Sequence, residues 1–436
     1  MAYHGYLDGE NGWNTWGWAF DDRRPTEPVD VEYTLSTGES GTVAASDFRD
    51  DLLRHDIGDG RHAFNVPLPV FPTWPEGLSV SARIKGSDFR LNGAPLAVKR
   101  PAAVGLVAGD IVNNCNLRCP FCIVDYSSVR GLKLMTEETF RRMFDLMADV
   151  PPGQFWLSCL HEPTMHPRFV EFIEMVPEPL RNRISFTTNL ARRFPAGYLQ
   201  RLVATGVHSI RVSFDSRDPA LFAELRKGAK YEIFEANVKE LAAVLPRSGP
   251  RPQVRYITMA FQENWRDIAG LVEHCRDHLR GDSHEVRFMY YLPHLAHWGH
   301  EHMLSRGEWA ELEAMLEPLK ATTNIEISGP YPGMREQFEA EQGLAEYVAQ
   351  ENSFGGADDA MAAPLPEVPV VAPHLADDLI RLRMRWDGLL GIDGCPEDLF
   401  RANVKRIERP ADYFYQLRAA AKLAQRSRSA PQTAAA

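Results

Sequence analysis

The sequence predicts an α/β chain: a partial (β/α)6, TIM-like barrel, preceded by a small all-β sandwich domain and followed by a short α+β C-terminal extension. Three observations carry this. From residue 104 onward short apolar runs alternate with stretches of helical periodicity. Residues 1–100 carry only brief β-rich runs broken by Gly, Asp and Pro. Residues 352–373, NSFGGADDAMAAPLPEVPVVAP, lose periodicity altogether.

In the first segment the runs 29–35, 78–84 and 89–91 read as short strands with turn signals between them, the signature of a sandwich. Trp16 and Trp18 occupy alternate positions of one strand and are expected in its core, although exposed tryptophans could also stack on sugar faces. The barrel is assigned to 101–300. Its apolar runs are 104–112, 155–159, 184–187, 209–214, 254–259 and 286–291, with helices expected at 137–147, 169–175, 198–204, 234–245 and 268–279. Strand and helix in alternation imply parallel βα units, and six are too few to close an eight-stranded barrel. Thr136 before Glu137 and Glu138 is a hydroxyl cap with acids in the first turn, where the helix dipole favours negative charge. Residues 301–436 form the extension, with a flexible linker at 352–373 and a disordered tail, AQRSRSAPQTAAA.

Composition narrows the partners. A net charge of −11 over 436 residues argues against nucleic acid or an anionic membrane, both of which need clustered Lys and Arg. No basic N-terminal region precedes an apolar segment, and no run approaches the ~18 apolar residues of a membrane span, so a cytoplasmic protein is expected. Disulfides are rare in that compartment, and half of the six cysteines fall within eight positions, which points to metal or redox chemistry.

Those cysteines lie in NNCNLRCPFCIVDY, 113–126, as Cys115, Cys119 and Cys122 in a C-x3-C-x2-C spacing. Four protein ligands would close a structural zinc site; three leave a position open. The readings are a 4Fe-4S cluster with one iron free for another ligand, zinc with His161 or another residue as a fourth ligand, or three core thiols.

The CxxxCxxC loop, with Phe121 just before its last cysteine, resembles the defining signature of the radical S-adenosylmethionine (SAM) superfamily, over roughly 104–295. The resemblance implies one [4Fe-4S] cluster, held by Cys115, Cys119 and Cys122, whose unique iron chelates SAM. Its reductive cleavage gives a 5′-deoxyadenosyl radical that abstracts hydrogen from a substrate carbon. SCLHEP keeps Glu162 and Pro163 of the family's Gly-rich SAM element, with Cys159 and His161 where glycines are usual. Glu162 is then suited to the SAM ammonium. FTTN offers Thr188 and Asn189; VSFD offers Ser213 and Asp215; Arg226 resembles an arginine near the SAM carboxylate.

The segment 383–398 resembles a reduced SPASM/twitch-like extension with one cysteine, Cys395. A thiol can return a hydrogen atom to a carbon radical, which makes Cys159 and Cys395 the candidate catalytic residues, while Cys275 reads as a half-buried structural thiol. His294, His297, His300 and His302 crowd PHLAHWGHEH, for substrate contact, a metal or a solvated cap. GYLDG, GWAF and SDFRDDL resemble a β-sandwich module of polysaccharide-assembling enzymes. The expected function is therefore epimerisation or oxidation of a carbohydrate or glycosylated metabolite, with a small-molecule or oligosaccharide substrate and an electron donor such as flavodoxin or ferredoxin. Alternatives are a peptide-modifying radical SAM enzyme and a non-catalytic Fe-S carbohydrate-binding scaffold.

Overall fold

The computed structural model describes residues 3–127, 129–158, 160–289, 292–328, 373–393 and 400–429. The chain divides into two compact units.

The first unit contains β1 (Tyr3–Glu10), β2 (Asn14–Asp21), β3 (Val29–Leu35), β4 (Ser40–Ala45), β5 (Asp47–Phe48), β6 (Arg61–Pro67), β7 (Ser79–Ile84) and β8 (Leu96–Ala97). They form two antiparallel sheets in the orders β1-β2-β6-β5 and β4-β3-β7-β8. Leu7, Phe64 and Val66 of one sheet share a buried core with Val31, Val80 and Ile84 of the other. The period expected of β2 is right but its phase is reversed. Trp16 is 37% exposed and Trp18 half-buried, whereas Thr15, Gly17 and Ala19, which alternate with them, are buried. The reason is steric: a side chain on Gly17 would meet the Tyr6 carbonyl oxygen at 2.2 Å and Phe64 at 2.8 Å, so this face admits only small residues. Trp16 instead covers its cross-strand partner Gly9.

Residues 373–378 and 412–429 also belong to this unit. Helix Pro410–Ser429 extends into the tail expected to be disordered. From Asp412 onward it is anchored by packing that no local propensity announces. Tyr415 stacks on Trp13 at 5.9 Å and donates to the Phe71 carbonyl at 2.9 Å, and Arg418 donates to the carbonyls of Ala102, Asp377 and Asp378.

The second unit is built on a ten-stranded sheet, comprising β9 (Val104–Gly109), β10 (Phe155–Trp156), β11 (Ile184–Thr188), β12 (Ser209–Ser213), β13 (Gln253–Met259), β14 (Ser283–Arg287), β15 (Asn324–Ser328), β16 (Ile380–Met384), β17 (Leu389–Ile392) and β18 (Ala402–Asn403). The order is β15-β14-β13-β12-β11-β10-β9-β16-β17-β18. β15 through β16 pair in parallel, and β16, β17 and β18 pair antiparallel. The six expected strands are thus the middle of the sheet. The expected extension supplies its edges, with β15 on one side and the hairpin β16–β17, turned at Gly388 (φ +88°), on the other.

Helices cover one face. Phe186 of β11 meets Phe169 of helix Phe169–Met175 at 4.9 Å, so Ser185 and Thr187 point the other way. The helix expected at 137–147 is two, Glu137–Arg141 and Phe144–Asp149, and Pro219–Leu225 is a helix the periodicity did not show. The sixth strand lies at 283–287 and not at 286–291, because its buried His284 and Glu285 interrupt the apolar run that marks a strand. No helix among the described residues is long and apolar enough to cross a membrane.

Candidate active site

The loop that follows β9 carries the three cysteines, and the next three strands, β10, β11 and β12, run out into polar residues at or just beyond their ends. These ends converge on a cavity of about 120 Å³ lined by Cys115, Cys119, Cys122, Tyr126, Ser158, His161, Glu162, Thr187, Thr188, Asn189, Ser213 and Arg226, with Leu117 and Leu160. A cavity at the C-terminal ends of parallel strands is where α/β barrels place their chemistry.

Burial pushes the thiols up, Cys115 to about 12 with Glu162 adding to it and Cys122 to about 11; Cys119 is raised for the same reason. Such thiols become thiolates when a positive centre sits among them. N–H groups already point at sulfur: Leu117 N and Asn189 Nδ2 lie 3.4 and 3.5 Å from Cys115 Sγ. Among the described residues no group of three or more His, Cys, Asp and Glu side chains is placed to hold a single metal ion. Three half-buried sulfurs around one cavity fit a cluster, in which each takes its own iron. His161 is otherwise engaged, its Nδ1 2.9 Å from the Tyr126 hydroxyl.

Glu162 is buried, and its carboxylate is saturated largely from within the chain. Oε1 accepts from Thr164 Oγ1 and Thr188 Oγ1, both at 2.7 Å, and from Thr164 N at 3.2 Å; Oε2 accepts from Asn189 N at 2.7 Å. Burial raises its carboxyl, and these donors oppose the rise. Glu162 thus ties the end of β11 to the loop after β10, and one oxygen keeps room for a ligand donor. Asn189 also donates to Asn116 Oδ1 at 3.0 Å, which links β11 to the cysteine loop.

Two expected cofactor contacts stand behind the cavity. Phe121 packs on Phe261 at 4.7 Å and carries the Arg226 guanidinium over its ring at 5.2 Å. β12 ends at Ser213, so strand alternation does not reach Asp215. Its carboxylate accepts from Met259 N at 2.8 Å and from Arg226 Nε. Burial presses the Arg226 guanidinium down, but Asp215 and then Cys119 hold it well above its ordinary value. Its positive charge therefore faces both Asp215 and Cys119.

Cys159 and Cys395 lie outside the described residues. Cys275 is fully buried in helix Ile268–Asp277, deeper than the half-buried thiol expected. The histidine segment contains helix Ala296–His302. His294 Nε2 lies 3.1 Å from the Cys122 carbonyl, His302 pairs with Glu263, and His297 is exposed. Sequence reasoning missed Asp110, a buried acid just beyond the end of β9. It accepts from Leu160 N and from His161 N at 3.0 Å and so positions the second loop. It also missed Tyr126, the last residue of the quoted motif, which lines the cavity and whose hydroxyl lies 2.9 Å from His161 Nδ1.

Residues 110–275 match the Radical SAM superfamily, over the segment that builds this cavity. The chain carries a radical SAM domain. That domain implies a [4Fe-4S] cluster and SAM as cofactors. The chain is similar to a GTP 3′,8-cyclase of Picosynechococcus sp., 23% identical over 224 residues, covering 50% of this chain and 64% of that protein. It is also similar to a GTP 3′,8-cyclase of Trichormus variabilis, 30% identical over 123 residues, covering 26% and 36%. A 7,8-dihydro-6-hydroxymethylpterin dimethyltransferase of Methanocaldococcus jannaschii is 27% identical over 117 residues, covering 26% and 23%. The matched region thus spans less than two thirds of each of these relatives. Among solved structures, SuiB of Streptococcus suis bound to S-adenosylmethionine shares 15% identity over 72% of this chain and 66% of its own, with a TM-score of 0.45.

Proposed function

We propose that this radical SAM protein removes a hydrogen atom from a hydroxyl-bearing carbon of a small polar substrate, a carbohydrate or glycosylated metabolite, and so epimerises or oxidises it. When bound, the cluster and SAM supply a 5′-deoxyadenosyl radical, with the initiating electron coming from a donor of the flavodoxin or ferredoxin type. The chain's own residues hold and orient. Cys115, Cys119 and Cys122 would carry the cluster; Asn189 and Ser213 face the same cavity, where SAM polar groups would lie; Glu162 fixes the two loops that shape it. Leu117 and Leu160 on the wall help to keep water from a reactive centre. In an epimerisation a thiol, Cys159 or Cys395, returns the hydrogen atom. The observation that carries the reading is the convergence of three sulfurs and the ends of successive parallel strands on one cavity.

Anaerobic reconstitution with iron and sulfide, followed by SAM and dithionite, is expected to give a four-iron cluster spectrum and 5′-deoxyadenosine. Alanine at any of the three cysteines is expected to remove both. A wild-type protein that holds the cluster and yields no 5′-deoxyadenosine would overturn the reading.

A further inference from the structure

Next to the cysteine cavity the inner face of the sheet carries more guanidinium than carboxylate. Arg211 shares its strand face with Ser213 and stands in register with Thr187, and both of these line the cavity. Across the sheet Arg255 is in register with Arg211, and Glu285 and Arg287 of β14 and Glu326 and Ser328 of β15 continue the same face. Glu285 is the buried hub. Its Oε1 lies 2.6 Å from both Arg287 Nε and Ser328 Oγ, and its Oε2 lies 3.2 Å from Arg255 Nε and 3.6 Å from Arg211 Nη1. Glu326 pairs with Arg255, but its side chain is 56% exposed. Among the described residues, three arginines thus face two carboxylates, one of them largely in water.

Arg211 is the least satisfied of the three. Its Nε is buried with no hydrogen-bond partner among the described residues, its contact to Glu285 is beyond hydrogen-bond reach, and its guanidinium lies over the Trp156 ring at 4.0 Å. Arg255 Nε and Glu285 Oε2 are likewise buried without a hydrogen bond. Burial, and then Arg255, push the Arg211 guanidinium down to about 10, which leaves it cationic at neutral pH. A half-buried, stacked and under-bonded fork beside a second arginine is costly unless an oxyanion completes it.

We propose that Arg211, with Arg255 beside it, receives an anionic oxyacid group of the substrate, a phosphoryl or a carboxylate, and so directs the remainder of that substrate toward the cysteine cavity. This rests on the radical SAM reading above and adds to it the charge class of the substrate. The aromatic face of Trp156 fixes the plane of the fork, and Glu285 holds Arg255 and Arg287 in place beside it.

The test is calorimetric titration of the cluster-loaded protein, saturated with SAM so that the SAM site is filled, with inorganic pyrophosphate and, separately, malonate at low ionic strength. Saturable binding of one anion per chain is expected, and the preferred anion distinguishes a phosphoryl from a carboxylate group. R211Q is expected to weaken that binding about tenfold or more. If R211Q does not fold, R211K keeps the charge but loses the fork and carries the comparison, with several-fold weakening expected. Failure of the wild type to bind either anion, or a folded Arg211 variant that binds as tightly as the wild type, overturns the proposal. Failure of the underlying reading shows separately, as no 5′-deoxyadenosine from the wild type with SAM and reductant, an assay that contains neither anion.

Discussion

Glu162 is buried and accepts from two threonine hydroxyls and two backbone N–H groups, and this decides what a substitution there does. In Glu162→Gln the amide must turn its NH2 toward at least one of those donors, which leaves a buried group unpaired. A loss of about 1–3 kcal/mol is expected, read as a lower denaturant midpoint of the barrel unit. The motif HEP marked this residue, but what it binds was not legible. The sequence suggested a partner outside the chain, whereas Thr164, Thr188 and Asn189 take most of its capacity. Phe121 and Asp215 tell the same story. Both were read as cofactor contacts, and both stand one layer back, where they fix Arg226. Residue type and spacing say which atoms are available; only neighbours contributed by distant strands say which remain free.

Local rules held best at element boundaries. Thr136 was expected to cap a helix, and its hydroxyl accepts from Thr139 N at 3.2 Å at the start of Glu137–Arg141. Thr136→Ala is expected to lower stability by about 0.5–2 kcal/mol, measured by thermal or denaturant unfolding, while Thr136→Ser should recover most of it. A cap is legible because it depends on three or four consecutive residues. The phase of a strand is not. β2 alternates as expected, yet Trp16 faces outward because the inner face at Gly17 is filled by Tyr6 and Phe64, residues from other strands. β14 was displaced by three residues for a related reason. His284 and Glu285 look like loop residues until Thr258, Arg255 and Arg287 are brought beside them.

At the scale of the molecule, buried polar groups tie stability to pH. His284 is fully buried; burial first, and then Arg255, hold its imidazole at about 3, below its ordinary 6.5. Between these values the unfolded chain binds a proton that the native chain does not, so stability rises with pH through this window. The contribution is complete above 6.5 and is lost as pH falls toward 3. From pH 7 to pH 5 the loss is about 2 kcal/mol. Urea midpoints of the metal-free protein should therefore fall over that interval, and by less in His284→Gln; equal falls in both would count against this account.

The sequence by itself determined the parallel βα alternation, the sandwich before it and the cysteine loop, because each is written in a short period or a fixed spacing. Tertiary structure decided which polar residues share one cavity, which arginines crowd the inner face of the sheet, and how the described residues from Asn324 onward divide between the sheet edges and the first unit. The physical reason is range. Caps, turns and periodicity are settled by neighbours along the chain, whereas burial, charge balance and unsatisfied hydrogen bonds arise only when strands dozens of residues apart lie side by side.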